Sequence, residues 1–597
     1  MNKFMEQFLA KRGYSSDYLK KIECGFYPPL LNSEALCARL HRLKENQDCI
    51  VVLPDFDMDG IMSGVVGLAG LCQLGFNVQL YTPDPKKGYG FNDQTIDEIV
   101  EWYPDVKAIL TCDVGITCFE GIEHAKELGL EVLVTDHHLE GNRKPAADCI
   151  VDPCQKEDSY PHLICGAFVL WQILNTYAHT YGTLSDQKKI QLLRIFAGFG
   201  TISDMMPMLY ENRCLVKEAL RMAQLLYSNG NPWYLNTITG HPVFTNAFRG
   251  MFFLLNELAG NKTFEKMTDI EEETVAFTIA PMFNSMKRLG LPSDHAFDVF
   301  FRQTCEEQVQ AVRFLIEANE KRKQLISEKL EAIKGADNPF APYIYLADCE
   351  SGVCGLLAAK MVEETKLPCF VIHEGTDGTW RGSARVPKDM PVFETLQTNG
   401  FTPAGHEAAF GISMKDFSEV QRLYSVMQNG QFAQFQKPEE SDVTIPAGEL
   451  DLHGLKEFFA DLLKMKPFGP EFKKPKIRMA IWPEFVQLIC FKEKKHLKAR
   501  FGNVFDMIFW NQGYLEEEAR KARYFSALGE LKKNQQDSLY FQGTLEIPER
   551  ETEMEFDYDG FDDESEFENQ LGDGRLGFAD DPQRNLDRLK MDFEIGY

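Results

Sequence analysis

Ile50-Val51-Val52-Leu53-Pro54-Asp55-Phe56-Asp57-Met58-Asp59-Gly60 is a short apolar run, rich in β-branched residues, that ends in three alternating carboxylates. It reads as a buried strand that delivers its acids at the carboxyl end. Two more stretches repeat the arrangement: Ala108 to Leu110 leads into Thr111-Cys112-Asp113, and Val132 to Val134 leads into Asp136-His137-His138. Ligands of an open parallel sheet bind beyond the carboxyl ends of its strands, so three such runs bring acids and imidazoles to one crevice. A fourth acid-bearing stretch is Gly200-Thr201-Ile202-Ser203-Asp204.

Carboxylates crowded in this way repel one another unless cations hold them. Oxygen donors mixed with imidazole point to manganese, with magnesium second. A pair of ions about 3.5–4 Å apart suits phosphoryl chemistry best, because it can activate water and stabilise the leaving oxygen. Singly, Asp-x-Asp-x-Asp-Gly also fits a calcium-binding turn or a solvated loop, and Asp-His-His says less. Their conjunction after successive strands is what predicts a metal site.

The four stretches resemble the four motifs of the DHH phosphoesterase superfamily, and the flanking sequence is similar to the RecJ-type single-strand-specific exonucleases. Leu163-Ile164-Cys165-Gly166-Ala167 resembles that family's segment between the third and fourth motifs, and Glu211-Asn212-Arg213 follows the fourth as it does there. The block from Ala280 to Leu289 is similar to the family's Pro-Arg-x-Asn-Ala-Ala-Gly-Arg-Leu pattern, with Met282 in place of an arginine and Lys287 in place of a glycine. Gly88-Tyr89-Gly90-Phe91 resembles a turn near the family's site, where Lys86 or Lys87 stands in for an upstream arginine. The likeness runs from about residue 8 to 547.

The resemblance implies an α/β chain: a DHH core with a parallel sheet, a long connecting helix, a DHH-associated α/β domain and a C-terminal OB-like β domain. The expected boundaries are 1–48 for an N-terminal helical segment, 49–305 for the catalytic domain and 306–334 for the connecting helix. The substrate-binding domain follows at 335–435, the OB-like domain at 436–550 and an acidic tail at 551–597. Periodicity supports part of this. Strands alternate with amphipathic helices between Ile50 and Pro153, residues 160 to 300 read mostly helical, and apolar residues recur at helical spacing from Val309 to Ile333. The return of Asp204 to the crevice rests on the resemblance alone.

In the implied mechanism Asp113 bridges two metals, Asp57 binds mainly one, and Asp59, His137 and Asp204 bind the other. Asp55 either adds a ligand or supports the first metal. Asp136 orients the neighbouring histidine, and His138 contacts the scissile phosphate. Substrate contacts are expected from Arg288, from Arg385 in Gly382-Ser383-Ala384-Arg385, and from Gly405 and His406 in Gly405-His406-Glu407-Ala408-Ala409-Phe410-Gly411, where Ala404 replaces a usual glycine. A planar guanidinium holds a phosphate through two hydrogen bonds. Without the resemblance, Arg385 reads as a surface ion pair and His406 as a core histidine.

After Lys466-Pro467-Phe468-Gly469-Pro470, short strand-like runs place Lys495, Lys498 and Arg500 near Phe505, Phe509 and Trp510. Basic residues beside rings suit single-stranded DNA, whose bases stack on aromatic faces. Alternation marks an ordinary half-buried strand equally well, so Phe509 and Trp510 remain open between core packing and stacking.

Composition sets further bounds. The net charge of −27 contrasts with the basic footprint of most nucleic-acid enzymes, but Glu551 to Tyr597 alone holds sixteen acidic and four basic residues. The remainder is still acidic, so local basic tracks are expected. The fifteen cysteines form no Cys-x-x-Cys pair and read as reduced structural residues. No run of about twenty apolar residues occurs, which predicts a chain free of membrane and placed in the cytoplasm. The implied activity is manganese- or magnesium-dependent exonucleolytic hydrolysis of single-stranded DNA, 5′ to 3′, to 5′-mononucleotides in repair or recombination. The alternatives are a phosphodiesterase of short oligonucleotides or cyclic dinucleotides, and a noncatalytic single-strand-binding replication scaffold. Expected partners are single-stranded DNA, a single-strand-binding protein or helicase, and a basic protein for the tail.

Overall fold

The computed structural model of the chain describes residues 2–23, 28–82, 84, 90–227, 231–260, 270–349, 351–375, 377–435, 439–502, 504–534 and 538–547. Lys86, Lys87 and the acidic tail from Glu551 lie outside the described residues. The chain divides into two compact units, one of Ile22–Pro438 with Gly469–Phe472, the other of Met1–Lys21 with Glu439–Phe468 and Lys473 onward.

The first unit opens on a five-stranded parallel sheet of β1 (Cys49–Pro54), β2 (Val78–Leu80), β3 (Val106–Cys112), β4 (Glu131–Thr135) and β5 (Cys149–Val151), in the order β2-β1-β3-β4-β5. All six residues of β1 are buried, as a parallel strand covered on both faces requires. Strand order reverses between β1 and β3, the switch point at which such sheets bind ligands. Asp55 follows β1, Asp113 follows β3 and Asp136 follows β4. The helix Met58–Gln73 starts at Asp57, whose carboxylate caps it by accepting the amides of Asp59 and Gly60 at 3.1 and 3.2 Å. Helices then dominate, and Arg194–Ser203 ends beside Asp204.

A 31-residue helix, Cys305–Gly335, begins with a reciprocal capping box between Thr304 and Glu307. Beyond it lies a second sheet of β6 (Ile344–Leu346), β7 (Cys369–Glu374), β8 (Trp380–Arg385), β9 (Ala404–His406) and β10 (Ala409–Met414), in the order β6-β7-β8-β10-β9. One face buries Phe370, Ile372, Phe410 and Ile412; the other packs Cys369 and Val371 against Leu357 and Met361 of the helix Ser351–Thr365.

The second unit holds a seven-stranded sheet of β11 (Val443–Ile445), β12 (Ile477–Ile481), β13 (Gln487–Phe491), β14 (His496–Phe501), β15 (Phe505–Phe509), β16 (Phe525–Lys533) and β17 (Leu539–Glu546), in the order β11-β12-β16-β17-β15-β14-β13. The helix Lys3–Arg12 belongs to this unit. Phe4 and Phe8 meet Phe458 of the helix Leu452–Lys464 edge-on, with ring centroids 6.2 and 6.4 Å apart, and Arg12 pairs with Asp442. The N-terminal helical segment read as residues 1–48 is thus shared between the units, because its first apolar stripe finds its burial there.

Strand alternation separates the two rings left open by the sequence. Phe509 is fully buried, whereas Trp510, at the end of β15, is 43% exposed and packs edge-on against His496 and Phe491, with Lys492 over its ring. Lys498 and Arg500 both pair with Asp506, at 2.9 and 2.8 Å. Two of the expected basic side chains are therefore compensated.

Candidate metal centre and phosphate contacts

Three overlapping groups of side chains present ligand atoms within 4.8 Å of one another: Asp55, Asp57 and Asp113; Asp59, His137 and Asp204; and Asp113, His137 and His138. The six residues expected to hold metal are brought together. Asp113 belongs to the first group, and its Oδ1 lies 3.0 Å from His137 Nε2 of the second. His137 Nε2 is also 3.8 Å from Asp59 and 3.5 Å from Asp204.

The backbone builds this arrangement at cost. Asp113 has a φ of +67°, a left-handed conformation that is uncommon outside glycine and that turns the chain sharply off β3. Gly166 is required by close approach, since a Cβ there would stand 2.7 Å from Asp113 Oδ1. Its amide donates to Asp59 at 2.7 Å, and the Ala167 amide does so at 3.3 Å. The Cys165-Gly166-Ala167 segment thus serves the metal-site carboxylates directly.

Electrostatics tests whether these residues fit a cation. Burial and the charge of Asp57 push Asp55 up to about 7, and burial with Asp59 and Asp57 pushes Asp204 up to about 8. Asp59 and Asp113 are raised for the same reasons, and burial holds His137 below its ordinary value. Asp55 Oδ1 and Asp113 Oδ1 are buried without a hydrogen bond, and His137 Nε2 stands near the latter out of hydrogen-bond alignment, as a second donor atom to one cation would. Crowded carboxylates, a neutral imidazole and unpaired inward oxygens suit divalent cations with mixed oxygen and nitrogen ligands.

Asp136 does different work. Its Oδ1 accepts the amides of His137 and His138 at 2.7 and 3.2 Å and His138 Nδ1 at 2.7 Å, while Oδ2 accepts the Ile116 amide at 2.9 Å. Burial opposes its ionisation, but the His138 imidazole and these amides outweigh that and hold it below its ordinary value. In return the hydrogen bond to Asp136 pushes half-exposed His138 up to about 9.

Arg288 donates to the Gly352 carbonyl at 3.0 Å, and Arg385 donates to the Ala384 carbonyl at 2.8 Å. Neither forms an ion pair among the described residues, so the surface ion-pair reading of Arg385 does not hold. Burial lowers both guanidiniums, and the charge of Arg288 lowers Arg385 further. His406 is exposed, and Gly405 has a φ of +135° at a point where a Cβ would press on the Ala409 carbonyl. The register pairs Arg385 with Ala409 and Ala409 with His406, placing Arg385 and His406 on one face two strands apart, about 10 Å.

Four further residues stand beside this site that were not among the site residues expected from the sequence. Asp152 repeats the strand-then-acid signature after Ile150-Val151; it is buried with Oδ2 unpaired, and burial with the charge of Asp136 pushes it up to about 8. Asn284 accepts the Met58 amide at 2.8 Å and pins the loop that carries Asp57. Lys287 lies over the Phe56 ring at 4.1 Å and partly offsets Asp55. Arg322, on the long helix, feels the charge of Arg288 and donates to Asn319 at 3.0 Å. No spacing rule links these positions.

A parallel sheet whose switch point gathers acids and a histidine pair is followed by a second sheet carrying arginines, the layout that the resemblance to DHH proteins implies. Residues 49–197 match the DHH family, N-terminal domain, and residues 442–539 match the RecJ OB domain. The chain therefore carries a DHH N-terminal domain and a RecJ OB domain. It is 28% identical over 559 residues to the single-stranded-DNA-specific exonuclease RecJ of Bacillus subtilis (strain 168), covering 88% of this chain and 65% of that protein. It is 26% identical to the protein of the same name from Haemophilus influenzae, covering 64% of this chain and 66% of that one. The chain therefore spans just under two thirds of these relatives' lengths. Among solved structures, RecJ in complex with Mn2+ from Thermus thermophilus shares the fold at a TM-score of 0.71 and 22% identity, over 92% of this chain and 76% of that one. An exonuclease RecJ bound to manganese matches at a TM-score of 0.52 and 25% identity, over 69% of this chain and 96% of the other.

Proposed function

We propose that this protein hydrolyses single-stranded DNA from its end, 5′ to 3′, releasing 5′-mononucleotides, with two manganese ions as cofactor and magnesium as the alternative. The observation that carries the proposal is a pair of ligand groups linked where Asp113 Oδ1 of the first lies 3.0 Å from His137 Nε2 of the second. Asp55, Asp57 and Asp113 would hold one ion, and Asp59, His137 and Asp204, with Asp113 beside them, would hold the other. Two divalent cations, when bound, lower the pKa of water and stabilise the leaving oxygen of an in-line displacement.

The protein's own groups do the rest. Asp136 keeps the His138 imidazole protonated at neutral pH, so His138 presents a positive N–H donor to the scissile phosphate. Arg288 and Arg385 hold the adjoining phosphate, each oriented by one bond to a backbone carbonyl and free to donate through its remaining N–H groups. Gly405 leaves room for the backbone of the strand, and His406 donates to the phosphate or terminal sugar. In the second unit, Trp510 and the lysines of the 492–495 turn form a stacking platform and local basic track.

Support for the substrate comes from the names of the relatives, and for manganese from the two similar crystal structures. A role in cytoplasmic repair or recombination beside a single-strand-binding protein or helicase follows from the same reading. No described helix is long and apolar enough to cross a membrane.

The test uses purified protein and manganese with 5′-labelled and 3′-labelled single strands, matching duplex and a dinucleotide. The expected result is immediate release of labelled mononucleotide from the 5′-labelled strand and progressive shortening of the 3′-labelled one, with duplex resistant. Turnover confined to dinucleotides would overturn the proposal.

A further inference from the structure

Cys349 and Cys354 bring their sulfurs within 3.5 Å of each other, just before and within the first turns of the helix Ser351–Thr365. Cys354 is fully buried on the core-facing side of this helix, whereas Cys349 is only partly covered. The loop bearing Cys349 is tied to the long helix, where Lys329 donates to the Asp348 carbonyl. The same stretch of chain holds both phosphate-contacting arginines. Gly352, between the cysteines, accepts from Arg288 at 3.0 Å, and Gly355, directly after Cys354, lies so close to Arg385 that a Cβ there would stand 2.8 Å from Nη2.

We infer that Cys349 and Cys354 form a reversible peroxide-responsive thiol pair whose disulfide weakens substrate binding through Arg288 and Arg385. Transient disulfides of this kind are the ones found in reducing compartments. Cys349 is the thiol that reacts first, because it is the more accessible of the two. Its sulfur attacks a hydroperoxide oxygen; the O–O bond breaks, the sulfur is oxidised to a sulfenic acid and the peroxide is reduced to an alcohol, or to water if it is hydrogen peroxide. The Cys354 sulfur then attacks the Cys349 sulfur, the S–O bond breaks, and the thiol proton leaves with the hydroxyl as water. Two thiols and one peroxide thus give one disulfide, one water and the reduced peroxide.

The coupling is geometric. A disulfide needs its sulfurs about 2.05 Å apart, so they must close by roughly 1.5 Å. The backbone between them carries the carbonyl that orients Arg288, and the residue after Cys354 backs onto Arg385. Only this coupling rests on the nuclease reading; the thiol chemistry stands without it.

The full-length protein, reduced and then treated with hydrogen peroxide, is alkylated and digested with trypsin. Both cysteines fall in one peptide, Gly335–Lys360. The expected result is loss of two hydrogens from that peptide, with a rise of about fivefold in KM for single-stranded DNA, the lower end of allosteric coupling factors, and recovery with dithiothreitol. Cys349→Ser should turn over normally when reduced and keep its KM under peroxide. Absence of the intrapeptide bridge under conditions that oxidise exposed Cys305 overturns the proposal. So does a bridge that leaves KM unchanged, or an equal KM rise in Cys349→Ser. A failure of the nuclease reading is recognised separately, as absence of hydrolysis by the reduced protein.

Discussion

Replacing Asp55 by asparagine distinguishes a cation site from a merely structural cluster through the sign of its effect. Asp55 is almost wholly buried with Oδ1 unpaired, and burial together with Asp57 holds it near 7. A carboxyl raised in the fold is tolerated when protonated; the associated stability is complete below about pH 4 and is lost as pH rises through the folded value. At about 1.4 kcal/mol per pH unit, the displacement from 3.8 to about 7 costs the metal-free fold roughly 4 kcal/mol when Asp55 is ionised. More than half of this develops between pH 5 and pH 8. Asparagine cannot ionise and escapes the cost. Scanning calorimetry in chelator should show Asp55→Asn gaining several degrees in Tm on the wild type as pH goes from 5 to 8. Excess manganese should reverse the order, because a ligand that binds only the folded state stabilises the protein that retains its site. Parallel pH responses in chelator, or equal stabilisation of both proteins by manganese, would refute the reasoning.

Asp136→Asn should return His138 toward its ordinary value near 6.5. The charge that His138 carries up to about pH 9 in the wild type is then lost earlier, so the alkaline limb of the kcat/KM profile shifts toward neutrality; an unmoved limb contradicts the assignment. Arg385→Ala should raise KM about 10- to 100-fold with a smaller change in kcat, the size of one or two hydrogen bonds to a charged group, as read from steady-state kinetics on short strands. Trp510→Ala should weaken binding of long single strands about 5- to 100-fold in fluorescence anisotropy while sparing turnover of dinucleotides, the signature of a lost stacking contact. Equal loss on both substrates would place Trp510 in support of the fold.

The strand-end acids are legible because burial on both faces forces near-continuous apolar runs, and a polar residue directly after such a run can only lie at the sheet's edge. Asp55, Asp113 and Asp136 share that signature, with Asp57 and Asp59 close behind the first, and so does Asp152, which is harder to see because its strand is only three residues long. Asp204 has no local signature: it closes a helix whose path back to the crevice is tertiary. Arg322 and Lys287 reach the region from helices whose sequence is equally compatible with a solvated face. The split of the N-terminal segment is hidden for a related reason, since the periodicity of Phe4 and Phe8 says that they are buried but not against what. Lys498 and Arg500 read as a DNA track in the sequence, whereas in the fold Asp506, one strand away in the register, holds both.

Titration of manganese into chelator-treated protein, with calorimetric binding and hydrolysis of a 5′-labelled single strand followed on the same sample, tests the central claim most directly. The account predicts no hydrolysis without metal, two ions bound per chain, and turnover that rises as both sites fill; Asp113→Asn should lose binding at both sites and all measurable turnover. Hydrolysis by the metal-free protein, or full turnover by Asp113→Asn, would contradict it.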